Sequence, residues 1–535
     1  MQLHHQINPS YWQSQPLPPL PQLRKDCSTD VCIVGAGITG LTTAYLLLKN
    51  GFKVVLLERD TLGNNETART SGHLSNILDE GLAHLIDSLG EDAAKKAVAS
   101  HSDAIDLIEK IIQEEHISCD FKRLDGYLYL SPETNKDYLK QEGQAAHKLG
   151  LRDVELQVSP THFSDFGPAL RFSQQARIDS QKYLLGLLQA IQKMGGEVYT
   201  ESPAVEFKDT PLTYAKTTAG YCVYAKKIVV ATNVPVNDRL QIHNKEKAFR
   251  SYVIGIEVPS DSFPDILMWD TSKPYHYIRK VPDIHEGMDL LLIGGEDHRV
   301  GQEDHPESKF ETLHDWALFN LGISGPIAFK WSGQIIEPLD GLAYIGKNPG
   351  DRNTYIACGD SGHGLTHGAL SAMILRDLIQ ETPNEWTDIY SPSRFRMRSL
   401  GKALRDNMNA LVQYKDRIHL RQELKFSTSQ PGEGRLLHQG PKTFAIYTDL
   451  QNRTYTMNAV CPHLGGIVHW NAAEKTWDCP CHGSRFSCTG EVLNGPAISS
   501  LKSTVLKSSS KPEASETTTE ERTDYEDRKE SDSSI

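Results

Sequence analysis

Between Asp30 and Glu58 the chain reads apolar strand, glycine turn, helix and second strand, a run that few architectures accommodate. Val31-Cys32-Ile33-Val34 leads straight into Gly35-Ala36-Gly37-Ile38-Thr39-Gly40 and the helical LTTAYLLLKNG. Gly35 permits the tight turn, Gly37 lets backbone approach a pyrophosphate, and Gly40 lets the helix pack closely on the strand. The helix N-terminus adds unpaired N–H groups and the positive end of its dipole. The next strand, Lys53 to Leu57, ends at Glu58, eighteen residues after Gly40 and placed to accept hydrogen bonds from ribose hydroxyls. The unit predicts dinucleotide binding; alone it does not separate FAD from NAD.

The rest of the chain is long enough for several domains. Its 535 residues are 39% hydrophobic and 23% charged, which suits a large globular protein of about three or four domains. The net charge of −13 argues against nucleic acid as a partner. No apolar run approaches the roughly 20 residues of a membrane helix, and the proline-rich N-terminus has no signal-peptide core. Nine cysteines, four of them crowded between Cys461 and Cys488, point to a metal site in a reducing, cytoplasmic setting.

Further along, helical patterns dominate to about residue 170, YLLGLLQAIQKMGG predicts a helix, and KKIVVATNVP an apolar strand. Residues 250–332 alternate as strands do, and TYIACGDSGHGLTHGALSAMILRDLI is a second strand–glycine turn–helix. The loop after Glu58, rich in Gly, Ser, Thr and Asn, suits a wrapped ribityl-diphosphate. Together these segments resemble the D-amino acid oxidase/glycine oxidase superfamily of FAD-dependent oxidoreductases. That resemblance implies an α/β Rossmann-like FAD domain (glutathione-reductase type) with an antiparallel β substrate domain. It places Gly35, Gly37, Gly40, Glu58 and Arg59 at the ADP half of FAD, Ser71, Gly72 and His73 beside the flavin, and Val205 near the adenine. Thr232 and Gly359 fall in the second and third cofactor segments, and Gly362, His363, Gly364, Leu365 and Thr366 close the pocket. The helix after Gly364 would aim its positive end at the flavin N1/O2 edge.

Cys461-Pro462-His463 and Cys479-Pro480-Cys481-His482 are separated by fifteen residues. Two thiolates and two imidazoles make either a Rieske [2Fe–2S] centre or a structural zinc site. The flanks CPHLGG and CPCHGSRFSCTGEVLNGPA resemble the two cluster loops of Rieske domains, which implies an all-β C-terminal domain ligating through Cys461, His463, Cys479 and His482. Two positions depart from high-potential members: Gly466 stands where a bridging cysteine lies, and Phe486 where a tyrosine donates to a cluster sulfur, while Ser484 is kept. Fewer donors to the sulfurs make reduction harder, so a potential in the lower half of roughly −150 to +300 mV is expected.

The layout that follows is an irregular arm at 1–25 and an oxidoreductase unit at 26–382. Within the unit, FAD segments fall near 26–75, 173–235 and 331–382, and substrate segments near 76–172 and 236–330. A helical connector at 383–418, a Rieske domain at 419–507 and a disordered acidic tail at 508–535 complete it. The resemblance implies a small amine or amino acid as substrate and stepwise electron transfer through the cluster to an external acceptor. An NAD(P)H-linked reductase feeding a separate oxygenase and a non-catalytic redox sensor are the alternatives. Tyr275, Tyr277 and Arg279 share one face of a predicted strand, where Arg279 would clamp a substrate carboxylate. His73 sits where some relatives attach FAD covalently, although an ordinary loop histidine is the simpler expectation. Asp360, His363 and His367 have the spacing of a mononuclear iron site. Their setting in a strand–glycine–helix segment favours flavin-pocket or packing roles.

Overall fold

The computed structural model describes residues 8–15, 17–157, 167–237, 242–394 and 430–504. The strand Cys27–Val34 sits at the middle of an eight-stranded sheet, parallel to Val54–Leu57 on one side and Cys222–Val230 on the other. Thr354–Cys358 continues the parallel order beyond Cys222–Val230, and Glu197–Tyr199 lies at the opposite edge. Val31 to Val34 and Val54 to Leu57 are all buried, as continuous apolar strands covered on both faces should be. The helices Ile38–Lys49, Ser180–Lys193 and Gly364–Ile379 supply one cover, in a core that includes Leu41, Tyr45, Leu184, Leu370 and Ile374.

Two glycines make the turn possible. Gly35 has φ +105°, and a Cβ there would lie 2.3 Å from the Ala231 carbonyl oxygen; a Cβ on Gly40 would lie 1.9 Å from the Gly35 carbonyl oxygen. No side chain fits between this helix and its strand.

A second, nine-stranded sheet carries the remaining strands up to Pro338, from Ile327–Pro338 at one edge to His73–Leu74 at the other. It is antiparallel except where Leu267–Asp270 runs parallel to Lys122–Tyr129. Two of its members, Ala169–Arg177 and Ile327–Pro338, straddle the expected limits between flavin and substrate segments. The region before residue 170 also holds the strands Lys122–Tyr129 and Val154–Gln157 among its helices, a mixture that the helical periodicity concealed.

The described residues of the N-terminal arm pack against the flavin unit. A 3-10 turn at Tyr11–Ser14 precedes the prolines and buries Trp12, whose Nε1 donates to the Thr70 carbonyl at 2.6 Å. The C-terminal β unit has a three-stranded sheet from Gly434–Gln439 to Thr454–Asn458 and a four-stranded sheet from His469–Asn471 to Val492–Asn494. Met457, Val468, Trp477 and Phe486 share its core. Most of the expected connector and the acidic tail lie outside the described residues; 383–394 contains a short helix at Thr387–Tyr390. Among the described residues no helix is long and apolar enough to cross a membrane.

Candidate active site and cluster centre

The glycine turn opens onto a cavity of about 2450 Å³, counting its open mouth. Gly35, Gly37, Glu58, Arg59, Val205 and Thr232 line one end. Gly40 does not; it acts beneath the surface by admitting the helix. Glu58 already accepts from the Ala36 and Asp60 N–H groups at 2.7 and 3.1 Å, and burial raises its pKa. Its remaining lone pairs are what a ribose hydroxyl would meet.

Whether this cavity suits FAD is tested by its helix ends. The helix Ser180–Lys193 is capped by Asp179, which accepts from Gln181 and Lys182. The helices Ile38–Lys49 and Gly364–Ile379 have Gly37 and His363 at their N-caps and no side-chain cap, and Gly37, Ile38, His363 and Gly364 all line the cavity. Buried Asn233 Nδ2, on another lining residue, has no protein acceptor. These two N-termini, neither bonded by its own N-cap side chain although Thr67 Oγ1 accepts from Ile38 N at 3.1 Å, and a spare donor suit a ligand carrying a pyrophosphate at one end and an electron-rich ring edge at the other.

The far end is built from side chains. His73, Tyr275, Tyr277, Trp269 and His363 line it. Ser71 Oγ and His73 Nδ1 are 2.8 Å apart, and the His73 ring meets Tyr277 edge-on at 5.6 Å. Burial, with Arg279 nearby, pushes His73 down to about 3 and keeps it neutral. Burial also opposes charge on His363, but Asp79 at 3.1 Å, backed by Asp360, outweighs it and raises the pKa. Leu365 and Gly362 complete this wall. Gly72, Gly359 and Thr366 sit behind it: Thr366 Oγ1 is 2.8 Å from His101 Nδ1, and Gly72 and Gly359 provide left-handed turns at φ +81° and +78°.

Arg279 corrects the sequence expectation. It shares a face with Tyr277, but it is 1% exposed and does not line the cavity. Its Nη1 donates to the carbonyls of Gly72 and Ile178 at 2.8 and 3.1 Å, and its guanidinium stacks on Trp12. Those donors brace the loop beside the flavin end and are not presented to a substrate carboxylate. No three His, Cys, Asp or Glu side chains among the described residues converge on one metal position. His363 faces Asp79 while buried His367 lies against Ser371.

The same finding bears on the cluster loops. Cys461 and Cys479 are in sulfur contact, and the His463 and His482 rings lie 5.1 Å apart. Two pairs, rather than four groups around one point, suit two irons with unlike ligands and not one tetrahedral zinc. Ser484 reaches the Cys461 sulfur, and its Oγ accepts from Ala497 N at 3.0 Å. A Cβ on Gly466 would lie 2.5 Å from Cys481 Sγ, so the bridge position is present in shape and lacks only its cysteine. None of the nine cysteines is disulfide-bonded.

Sequence reasoning missed the surface that joins the two centres. His243 packs edge-on against His463 at 4.8 Å and lies 6.0 Å from His482. Gln334, which lines the cavity, donates through Nε2 to the Gly483 carbonyl at 2.7 Å, one residue beyond His482. Glu474 pairs with Arg69 at 3.6 Å and accepts from Ser332 at 2.6 Å, all buried. Asp79, Trp269 and His101 were also missed, as was Asp297, which burial together with Glu337 and Asp79 lifts to about 7.

Comparison with known proteins agrees with this architecture. The family model described as FAD dependent oxidoreductase matches residues 30–378, and the Rieske [2Fe-2S] domain model matches 422–505. YhfW of Bacillus subtilis, named for a Rieske 2Fe-2S centre, is 31% identical over 92% of this chain and 97% of its own. Gamma-glutamylputrescine oxidoreductase of Escherichia coli is 25% identical over 68% of this chain and 86% of its own. The crystal structure of glycine oxidase from Geobacillus kaustophilus shares the fold with a TM-score of 0.58, at 17% identity, over 69% of this chain and 99% of that one. The chain therefore belongs to the FAD dependent oxidoreductase family, and it joins that flavoenzyme unit to a Rieske [2Fe–2S] domain.

Proposed function

We propose that the protein oxidises a C–N bond of a small amine or amino acid and passes the electrons from FAD to its own Rieske cluster, and from there to an external acceptor. The observation that carries this reading is the docking of the two histidine ligands on the flavin unit. His243 packs against both rings, and Gln334 spans from the cavity wall to the residue after His482. When bound, FAD supplies a two-electron acceptor and the [2Fe–2S] cluster a one-electron carrier. Relatives named for glycine oxidation and for gamma-glutamylputrescine support the substrate class.

In this reading Gly35, Gly37 and Glu58 hold the ADP moiety, and Gly362 to Leu365 the flavin edge. Cys461, His463, Cys479 and His482 hold the cluster. Tyr275, Tyr277 and Trp269 orient the substrate. Neutral His73 and Ser71 offer hydrogen bonds without a competing positive charge. The Asp79–His363 pair, 3.1 Å apart, stands at the N-terminus of the Gly364–Ile379 helix with His363 buried and Asp79 partly exposed. The site needs no dedicated acid–base pair when the amine enters neutral.

The test is anaerobic visible spectroscopy of the purified protein with a panel of amines and amino acids, followed by NADH. Flavin bleaching and then cluster reduction by an amine or amino acid is the expected result. Silence toward the panel with prompt reduction by NADH would replace this reading with the reductase one.

A further inference from the structure

The flavin unit does not close its nucleotide cavity alone. Val492, Leu493, Asn494 and Gly495 of the Rieske domain wall the same end as Gly35 and Glu58. Each lip of that cleft touches this short stretch. On the ribose side Arg59 donates to the Leu493 carbonyl, and Asn494 Nδ2 donates to Glu66 Oε1 at 2.8 Å. On the far side a Cβ on Gly495 would lie 3.2 Å from Val236 Cγ1. Glu474, Thr476 and Arg485 extend the wall inward. Arg485 is held by Asp478 at 3.1 Å, and Glu474 by Arg69, so neither is a loose surface chain.

We infer that the Rieske domain is the lid of the FAD site, and that FAD leaves only when this domain lifts off. The adenosine end of a dinucleotide held at the glycine turn would face the strand Val492–Asn494 across the cavity. The lid offers that end Val492, Leu493 and Asn494. Cofactor retention and domain docking are then one equilibrium, and each stabilises the other by mass action. This holds whether or not electrons cross the interface.

The test uses the full-length, FAD-loaded protein and follows FAD release by the rise in free-flavin fluorescence after dilution. Ala248 lies outside the cavity with its Cβ against Gly483: a Cβ placed on that glycine would come within 2.3 Å of it. An indole in Ala248→Trp therefore wedges the domains apart at Gly483, beside Gln334 and away from the glycine turn and the 492–495 stretch. Asn494→Ala removes the clasp to Glu66 and leaves the wedge site untouched. The wedge is expected to speed release about tenfold, the ratio that ~1.4 kcal/mol of lost docking represents. Loss of the clasp is expected to speed it about fivefold, with the cluster's visible absorption intact in both variants. Release at the unaltered rate in both variants overturns the inference.

Discussion

The cluster centre and the flavin cavity both hold a redox group, and they use the chain in opposite ways. In the proposed reading four side chains within two neighbouring loops, Cys461 to His463 and Cys479 to His482, make the cluster site. The flavin cavity draws on segments from Val34 to Ile498 and meets its nucleotide end largely with backbone and helix ends. The first design is local and has no redundancy. The second spreads binding over many weak contacts, so single side chains there tune more than they abolish.

The sharpest break in that comparison is Cys479→Ser. It should abolish the cluster outright, as iron content and the visible spectrum would show, together with the stability that metal binding lends the domain. A wild-type protein carrying one zinc per chain and no iron would contradict the two-pair geometry itself.

Arg279→Met comes next. It strips charged donors from the buried Gly72 and Ile178 carbonyls, and a loss of about 3 kcal/mol is expected in denaturant unfolding. KM for an acidic amino acid should be unmoved if that substrate is turned over, because the guanidinium does not reach the cavity; a selective rise in KM would restore the clamp.

His276 gives a smaller, pH-dependent effect. Burial opposes its charge, but Asp270 at 2.9 Å and Glu296 at 3.5 Å raise its pKa to about 9. The folded value lies above the unfolded value of roughly 6.5. Its contribution is therefore complete below pH ~6.5 and is lost as pH climbs through about 9. Unfolding free energy should fall by ~3 kcal/mol across that window, and Asp270→Asn should flatten the fall.

Phe486→Tyr is the mildest change. A new donor toward the cluster sulfurs should raise the potential by on the order of 40 mV, the one-electron equivalent of ~1 kcal/mol. A redox titration showing no rise would remove Phe486 from the account of a low potential.

What could be read in advance follows the same division. The glycine turn, Glu58 and the paired Cys/His loops are short-range patterns, so their placement at the cavity and beside one another was legible. Tyr277 and Arg279 were rightly put on one strand face, but alternation says nothing of how deep that face lies. Arg279 reaches past the cavity to loop carbonyls that belong to another segment. Gln334, His243 and Asp79 carry no local signature; they matter because the folded chain sets them beside residues more than a hundred positions away. The lid formed by residues 492–495 was equally hidden, because nothing in a Rieske sequence announces which surface will cover a nucleotide.

The central claim is that the two centres exchange electrons within one docked chain. Stopped-flow reduction with an amine that bleaches the flavin, followed at flavin and cluster wavelengths over a range of protein concentrations, tests it directly. Cluster reduction should follow flavin bleaching at a rate independent of protein concentration, and Gln334→Leu should slow that second phase without slowing the first. Cluster reduction that scales with protein concentration, or a cluster that stays oxidised beside a fully bleached flavin, would contradict the account.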